Sequence, residues 1–410
     1  MRIAPVIALA VSLFVASAHA QSPPAPAAPA DDAITRTITA LEAQHKAQPG
    51  DALVTFMLAS YYVQGKLPDK AIATLDTIAD NQLGIFPPPD RFHDIAHLPG
   101  YREVMHKFER SQPPVLRGRV AVVLDGPAMA TEGIAYDARD GSFYLSSVDR
   151  KIVRISRDGK HSDFTTAGQD GMATPLGMKL DVQRGLLWAA SYRDAEMGGD
   201  GQPGLYAFDL RTGKTVEKHL PTGASPATTF NDLVVTREGT VYVTDTSSGA
   251  LYRVERGGTL QPYLPAGTFR GANGVALSPD EKFLIVAQWR APVRVELATG
   301  KTLPLTVPAG VVTAGIDGLY FHGRHLIAVQ NVAHPGRVLR LSLNKTFDAI
   351  TGVEVLESRS PHFAVPTTAA IVGDTAYVLA NSYVGWLKPG GKLFNGDRMQ
   401  GTVILAVPLG

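Results

Sequence analysis

The stretch Asn273-Gly274-Val275-Ala276-Leu277 opens an apolar run with a polar residue and a glycine, and it is one of six degenerate copies of a single pattern. In each copy a turn follows about five residues after the apolar pair, and a second strand with an aromatic or aliphatic pair comes next. The copies begin at Glu132, Leu176, Asn231, Asn273, Asp317 and Thr367. Their starts lie about 42 to 55 residues apart, the period of a four-stranded propeller blade. The sequence therefore predicts a mainly β fold, a six-bladed β-propeller.

Short alternating strands separated by Gly, Asp and Asn turns extend from Pro113-Pro114 to Leu409, which places the propeller at residues 113–410. One strand-like segment, residues 119–124, precedes the first copy, and another, residues 403–407, closes the chain. We expect the early segment to join the last blade, because that pairing closes the ring and removes an exposed sheet edge.

Residues 32–112 have helical apolar spacing, for example Ile34, Ile38 and Leu41 on one face. They predict a small all-α domain. The stretch from about Leu53 to Ile78 resembles one tetratricopeptide repeat, although such repeats need about three units to bury a continuous core. We interpret this domain as a structural cap that docks to the propeller or to an unknown protein, with peptide binding as the alternative.

The first twenty residues have the pattern of a secretory signal peptide. Arg2 precedes an apolar run, and Ala18-His19-Ala20 forms a small-x-small cleavage site before Gln21. Residues 21–31 are a Pro/Ala-rich linker. We therefore expect a periplasmic or secreted protein cleaved after Ala20, with no membrane-spanning segment, because no later run approaches roughly 20 apolar residues.

Composition narrows the possible partners. The 410 residues carry a formal net charge of +1, which provides no broad attraction for nucleic acid or anionic lipid. The chain has 0 Cys, so disulfides, thiolate metal sites and a cysteine nucleophile are excluded. A small-molecule ligand is the expected partner.

The first position of the six copies suggests a metal site. Four of its six residues carry a carboxylate or an amide side chain, and we call these four the oxygen ring: Glu132, Asn231, Asn273 and Asp317. The innermost strand of each propeller blade runs along a central tunnel, so equivalent positions should face one axial point. Two carboxylates and two amides supply hard oxygen ligands that suit Ca²⁺, although another divalent cation is possible. Zinc is disfavoured because the ring offers no His or Cys.

The same residues have a simpler interpretation as turns. Asn-Gly, Asp-Gly and Asn-Asp are common turn pairs that need no ligand to explain them. Their coincidence in one register of the repeat favours the metal site, and Glu132 is a poor turn former.

Residues from about 115 to 410 resemble the family of senescence marker protein (regucalcin), gluconolactonase and luciferin-regenerating enzyme. The motifs that carry the resemblance are Glu132-Gly133, Phe230-Asn231-Asp232, Asn273-Gly274-Val275-Ala276-Leu277-Ser278-Pro279-Asp280 and Asp317-Gly318. The resemblance implies that Glu132, Asn273 and Asp317 bind a divalent cation, and that Asn231 lies beside the ion and the substrate. It also implies hydrolysis of lactones, often sugar lactones, with Asp317 as general base.

These residues fit ester hydrolysis, in which a cation polarises the carbonyl and a carboxylate accepts a proton from the attacking water. Asp317 is the first candidate for that carboxylate and Asp232 the second, because a cation lowers the basicity of its own ligand. Asn231, Tyr192, Trp289 and Arg290 are candidate substrate-binding residues, and the last three could instead pack within loops.

Two departures from the family pattern leave other functions open. The third copy has Asn231-Asp232-Leu233 where many relatives read Asn-Asp-Gly, and the fifth has Asp-Gly where paraoxonases have Asp-Asn. A non-catalytic propeller that binds a protein or a small molecule is the main alternative, because propellers host both kinds of function. A non-hydrolytic propeller resembling strictosidine synthase is a further one.

Overall fold

The structure is a computed structural model that describes residues 30–124, 129–193, 200–222, 228–331, 336–383 and 401–410. The predicted signal peptide and linker residues 21–29 lie outside the described residues. Within these ranges, none of the helices combines the length and the apolar character needed to cross a membrane.

The N-terminal region is helical, as predicted. Its elements are α1 (Ala30–Ala47), α2 (Ala52–Gln64), α3 (Pro68–Asp76), a 3₁₀ helix (Pro89–Ile95) and α4 (Pro99–Ser111). Asp51 caps α2 by accepting hydrogen bonds from the backbone N–H groups of Leu53 and Val54. Proline opens α3 and α4, where its missing N–H costs no helical hydrogen bond.

The described residues up to Pro113 form one compact unit together with Ala309–Val312. Within this unit the Asn81 side chain donates a hydrogen bond to the carbonyl of Gly310 at 2.8 Å, and the N–H of Val312 donates to the carbonyl of Leu83 at 3.1 Å. The pattern of the sequence did not predict that residues 309–312 group with the helices. The tetratricopeptide likeness of the stretch that contains α2 and α3 stays a prediction.

The second unit contains six four-stranded antiparallel sheets, the six predicted blades. Blade 1 comprises β2 (Ile134–Asp137), β3 (Ser142–Ser147), β4 (Lys151–Ile155) and β5 (His161–Asp163). Blade 2 comprises β6 (Thr174–Asp181), β7 (Leu186–Tyr192), β8 (Gly204–Asp209) and β9 (Thr215–His219). Blade 3 comprises β10 (Phe230–Val235), β11 (Val241–Asp245), β12 (Ala250–Val254) and β13 (Gln261–Leu264).

Blade 4 comprises β14 (Val275–Leu277), β15 (Phe283–Val286), β16 (Val293–Glu296) and β17 (Thr302–Pro304). Blade 5 comprises β18 (Ile316–His322), β19 (His325–Gln330), β20 (Arg337–Leu343) and β21 (Ile350–Ser358). Blade 6 comprises β22 (Ala369–Val372), β23 (Thr375–Leu379), β24 (Val403–Pro408) and β1 (Arg119–Val123). Because β1 pairs antiparallel with β24, the predicted closure of the ring is confirmed.

Apolar side chains hold neighbouring blades together. Six buried hydrophobic clusters lie at the six junctions between successive blades, including the junction of blade 6 with blade 1. The inner strands β2, β6, β10, β14, β18 and β22 each contact the next inner strand around the ring. Burial between the blades therefore fixes the positions of the inner strands, which carry the candidate site.

Candidate metal centre and active site

The inner strands are irregular where the oxygen ring lies. In β10 and β18 one extra residue stands between the paired positions on either side of Asn231-Asp232 and Asp317-Gly318. A β-bulge of this kind re-aims a side chain and is common beside active sites. Since strand residues otherwise alternate between the two faces of a blade, the bulge allows these side chains to leave the blade interface.

Glycine after the ring position permits close approach of neighbouring inner strands. A Cβ atom placed on Gly133 would lie 1.8 Å from the carbonyl oxygen of Leu176, and one on Gly274 would lie 2.1 Å from that of Asp317. Both contacts are with backbone, so the neighbouring strand could not move aside cheaply. The first positions of blades 1 and 2, and of blades 4 and 5, are therefore in contact around the ring.

Hydrogen bonds complete this ring of contacts. The side-chain hydroxyls of Thr367 and Thr368 in blade 6 donate to the carbonyl oxygen of Glu132 in blade 1. The N–H of Val275 in blade 4 donates to Asp232 in blade 3 at 3.1 Å. A cavity of about 320 Å³ runs between the inner strands of all six blades, which is the predicted central tunnel.

Glu132 is buried, with 9% of its surface exposed. Its backbone N–H donates to the Ser146 hydroxyl, which fixes the strand beside it. Burial raises the pKa of the Glu132 carboxyl well above its usual range, and the carboxylates of Asp317 and Asp232 raise it further. The carboxylates that act on Glu132 belong to blades 5 and 3, so carboxyl groups from three blades are near enough to influence one another.

Asp317 is buried too, with 6% of its surface exposed. The Asn331 side chain donates to its Oδ2 atom at 2.5 Å. Burial raises the pKa of Asp317 to about 7, the Asn331 hydrogen bond lowers it, the Asp232 carboxylate raises it, and the Asn273 side chain lowers it. Asp317 therefore lies near Asn273 and Asp232, on the neighbouring blade 4 and on blade 3.

The two amides differ in how they are held. Asn231 donates from Nδ2 to the Thr246 hydroxyl at 3.0 Å. That hydroxyl donates its own proton to the carbonyl of Ala272, so it can only accept from Asn231, which fixes which atom of the amide is the nitrogen. The backbone carbonyl of Asn273 accepts from the Thr244 hydroxyl at 2.8 Å, while its side-chain oxygen is buried without a hydrogen-bond partner.

Buried oxygens without hydrogen-bond partners indicate whether these residues could bind a cation. Among the described residues, five buried side-chain polar atoms have no hydrogen-bond partner, and three of them belong to the oxygen ring: Glu132 Oε2, Asn273 Oδ1 and Asp317 Oδ1. An unpaired buried acceptor is costly, and two buried carboxylates without a counter-charge resist ionisation. A divalent cation would remove both costs. The donor set therefore fits a hard cation such as Ca²⁺.

The candidate set depends on amide ligands. Over the described ranges, no group of three or more His, Cys, Asp or Glu side chains is arranged to hold a metal ion. Asp232, the third carboxylate of the region, is engaged elsewhere, since its two oxygens accept backbone N–H groups of Leu233 at 2.9 Å and Val275 at 3.1 Å. The candidate ligand set therefore stays the two carboxylates and two amides predicted from the sequence.

The proposed substrate-binding side chains follow second strands. Tyr192 ends β7 and bridges to Thr229, two residues before Asn231, while the N–H of Trp289 donates to the carbonyl of Arg270, three residues before Asn273. Both residues therefore lie at the oxygen-ring end of their blades. Arg290 is exposed. Their contact with a substrate stays a prediction.

Three residues near the ring were not singled out as site residues from the sequence. Thr246 orients Asn231, and Lys179 and Tyr320 line the tunnel below the ring. The repeat itself holds the signal for the last two. Three residues after the first position, the six copies read Ala135, Lys179, Val234, Ala276, Tyr320 and Ala370, and we call this set the lower layer. A lysine in an otherwise apolar or aromatic layer is unusual, and it indicates a role other than packing.

Comparisons with known proteins agree with the resemblance found in the sequence. Residues 130–292 match the profile of the SMP-30/Gluconolactonase/LRE-like region. Glu132, Asn231 and Asn273 lie inside the matched segment, and Asp317 lies beyond it. A segment of 201 residues is 33% identical to the adipocyte plasma membrane-associated protein Hemomucin of Drosophila melanogaster, over 40% of this chain and 33% of that protein. The chain thus covers about a third of the length of this relative.

Two solved structures illustrate what the chain is similar to. The calcium-binding protein regucalcin from Agrobacterium tumefaciens superposes with a TM-score of 0.51 at 16% identity, over 72% of this chain and 95% of that one. A gluconolactonase from Xanthomonas campestris superposes with a TM-score of 0.48 at 16% identity, over 72% of this chain and 97% of that one. At these identities the likeness describes the fold, so the function has to be argued from the site.

Proposed function

We propose that this protein is an exported, calcium-dependent hydrolase of lactones or related esters. The observation that carries the proposal is the set of three unpaired buried oxygens on Glu132, Asn273 and Asp317, contributed by three different blades around one tunnel. The match of residues 130–292 to the gluconolactonase-like region supports the same chemistry.

The residues of the oxygen ring would hold the cation. Glu132 Oε2, Asn273 Oδ1 and Asp317 Oδ1 need no rearrangement of existing hydrogen bonds to act as ligands. The Asn231 amide nitrogen is occupied by Thr246, so its oxygen is the atom left for the ion or the substrate. When bound, a divalent cation supplies a Lewis acid that polarises an ester carbonyl.

Proton transfer falls to a carboxylate of the same site. Asn331 holds Oδ2 of Asp317, while Oδ1 has no hydrogen-bond partner. A carboxylate oxygen has two lone pairs, so Oδ1 can contact the cation through one of them and accept the proton of an attacking water through the other. Asp232 is less suited, because both of its oxygens already accept backbone N–H groups. We therefore assign the general base to Asp317, and Asp232 to holding strands β10 and β14 together.

Hydrolysis of a ligand panel tests this proposal. The full chain is assayed with a pH indicator against sugar lactones, acyl lactones and aryl esters, once with Ca²⁺ and once with a chelator. We expect turnover of at least one lactone that the chelator abolishes and Ca²⁺ restores. Glu132→Gln should lose this turnover, while Asp374→Asn, which changes an exposed carboxylate on blade 6, should keep it. Turnover that is unchanged by the chelator, or no turnover of any compound in the panel, would favour the alternative of a binding module.

Export is proposed from residues 1–20 alone. Expression of the full chain with its leader should yield a periplasmic or secreted product whose N-terminal residue is Gln21. A cytoplasmic product that retains Met1 would contradict this part of the proposal.

A further inference from the structure

Lys179 and Tyr320 meet across the tunnel. Lys179 lies on β6 in blade 2, and its Nζ atom is 4.4 Å from the centre of the Tyr320 ring on β18 in blade 5. Because successive inner strands contact one another around the ring, blades 2 and 5 stand three places apart and face each other. The Tyr320 hydroxyl accepts a hydrogen bond from the N–H of Ala369 at 2.8 Å, which fixes the ring from blade 6. This pair therefore spans the lower layer beneath the oxygen ring.

The two carboxylates of the oxygen ring alone would balance one divalent cation, but Asp232 adds a third buried carboxylate to the region. Glu132, Asp232 and Asp317 are all buried and act on one another electrostatically. The Asp232 carboxylate lies against the strand that carries Lys179, since a Cβ atom placed on Gly177 would lie 2.7 Å from its Oδ1. In agreement with this, the ammonium group of Lys179 is the first of the influences that lower the pKa of Asp232, which burial raises. Three carboxylates and one lysine leave a formal charge of −2, which one divalent cation neutralises.

We propose that Lys179 is a charge-balancing residue that matches the oxygen ring to a divalent rather than a trivalent cation. This inference rests on the proposed function, since it presupposes that the ring binds a cation. A fixed positive charge beneath the ring repels a bound ion in proportion to the charge of that ion. The charge of Lys179 therefore lowers the affinity of the ring for a trivalent ion more than its affinity for Ca²⁺. The same charge compensates the carboxylate of Asp232, which is not one of the proposed ligands.

The test compares the affinities of one divalent and one trivalent ion of similar size. Ca²⁺ and Tb³⁺ are titrated at pH 7 into the wild-type chain, Lys179→Met and Lys179→Arg, with calorimetry and terbium luminescence as readouts. We expect Lys179→Met to raise the ratio of Tb³⁺ affinity to Ca²⁺ affinity about tenfold, from Coulomb interaction at intermediate dielectric. Lys179→Arg, which keeps the charge, should leave the ratio within about twofold of the wild type. Lys179→Gln serves if the methionine variant does not fold.

A double variant identifies the partner of Lys179. Lys179→Met combined with Asp232→Asn removes one charge of each sign, so the affinity ratio should return to the wild-type value. If wild type and Lys179→Met bind both ions with the same ratio, the inference is overturned although the metal site stands. If the wild-type chain binds neither ion, the proposed function itself fails. These two failures are therefore distinguishable without any measurement of activity.

Discussion

Asn331 donates a hydrogen bond to Oδ2 of Asp317 and leaves Oδ1 of the same carboxylate without a hydrogen-bond partner. The amide thus fixes the orientation of the carboxylate and selects which oxygen faces the site. Partners that orient metal ligands typically contribute 10- to 100-fold to affinity. We expect Asn331→Ala to weaken Ca²⁺ binding by about that factor, measured by calorimetry.

The matched control for Asn331 is Asn344. This residue also donates from its amide to an aspartate, Asp348, in blade 5, at 2.6 Å. Asn344→Ala should lower thermal stability without weakening Ca²⁺ binding. Equal loss of affinity in both variants would mean that the Asn331 effect is a general weakening of the blade.

Stability of the metal-free protein should depend on pH through Asp317. Burial raises the pKa of Asp317 to about 7, whereas an unfolded Asp titrates near pH 4. A raised pKa in the folded state means that this group contributes stability below about pH 4 and loses that contribution as pH rises to about 7. With chelator present, the melting temperature of wild type should therefore fall relative to that of Asp317→Asn between pH 4 and 7.

Calcium provides the control for this pH effect. A bound cation favours the ionised carboxylates, so Ca²⁺ should stabilise wild type more at pH 8 than at pH 5. Differential scanning calorimetry at both pH values measures the difference. An increment that is the same at both pH values would show that Asp317 does not titrate in the metal-free protein.

The repeat in the sequence predicted the architecture because each blade buries the same apolar pairs at the same spacing. The first position of that repeat also selects the oxygen ring, whose role as a cation site stays a prediction. The pattern of the sequence does not show toward which surroundings each side chain points. The alternation of Met178, Lys179 and Leu180 predicts that Lys179 lies on the solvent face of a half-buried strand. An inner strand has no solvent face, so the lysine lies in the tunnel.

The β-bulges are a second feature that the apolar alternation of the sequence does not predict. A period of two cannot locate the extra residue at Asn231-Asp232 or at Asp317-Gly318, and one extra residue changes the face that a side chain occupies. The sequence makes Asp232 a second candidate base because it does not show the two backbone hydrogen bonds of this carboxylate. One of these bonds, from Leu233, is local to β10, and the other, from Val275, depends on the position of β14 beside β10.

Gly274 should tolerate no side chain. A Cβ there would lie 2.1 Å from the carbonyl oxygen of Asp317, so Gly274→Ala forces apart the inner strands of blades 4 and 5. Overpacking of this kind costs about 1–3 kcal/mol or more. We expect a lower melting temperature and weaker Ca²⁺ binding. Gly352→Ala is the control, because its Cβ would meet Ser342 at an ordinary 3.6 Å, and it should leave Ca²⁺ binding unchanged.

Asp232 and Asp317 can be separated as candidate bases by their different surroundings. Asp232→Asn turns an amide N–H₂ toward one of two backbone donors, so at least one hydrogen bond is lost, at a cost of about 1–3 kcal/mol in stability. Because both oxygens of Asp232 already accept backbone hydrogen bonds, Asp232 is the weaker candidate base, and the same change should slow turnover far less than Asp317→Asn does. For Asp317→Asn we expect a loss of at least about 100-fold, the scale of a missing general base.

Turnover of both variants is measured at saturating Ca²⁺, so that a change in cation affinity does not enter the comparison, and circular dichroism confirms that each is folded. If folded Asp232→Asn loses as much turnover as Asp317→Asn, its backbone hydrogen bonds must be exchanged during the reaction. The assignment of the base would then pass to Asp232. If only Asp317→Asn is impaired, the assignment of the base to Asp317 holds.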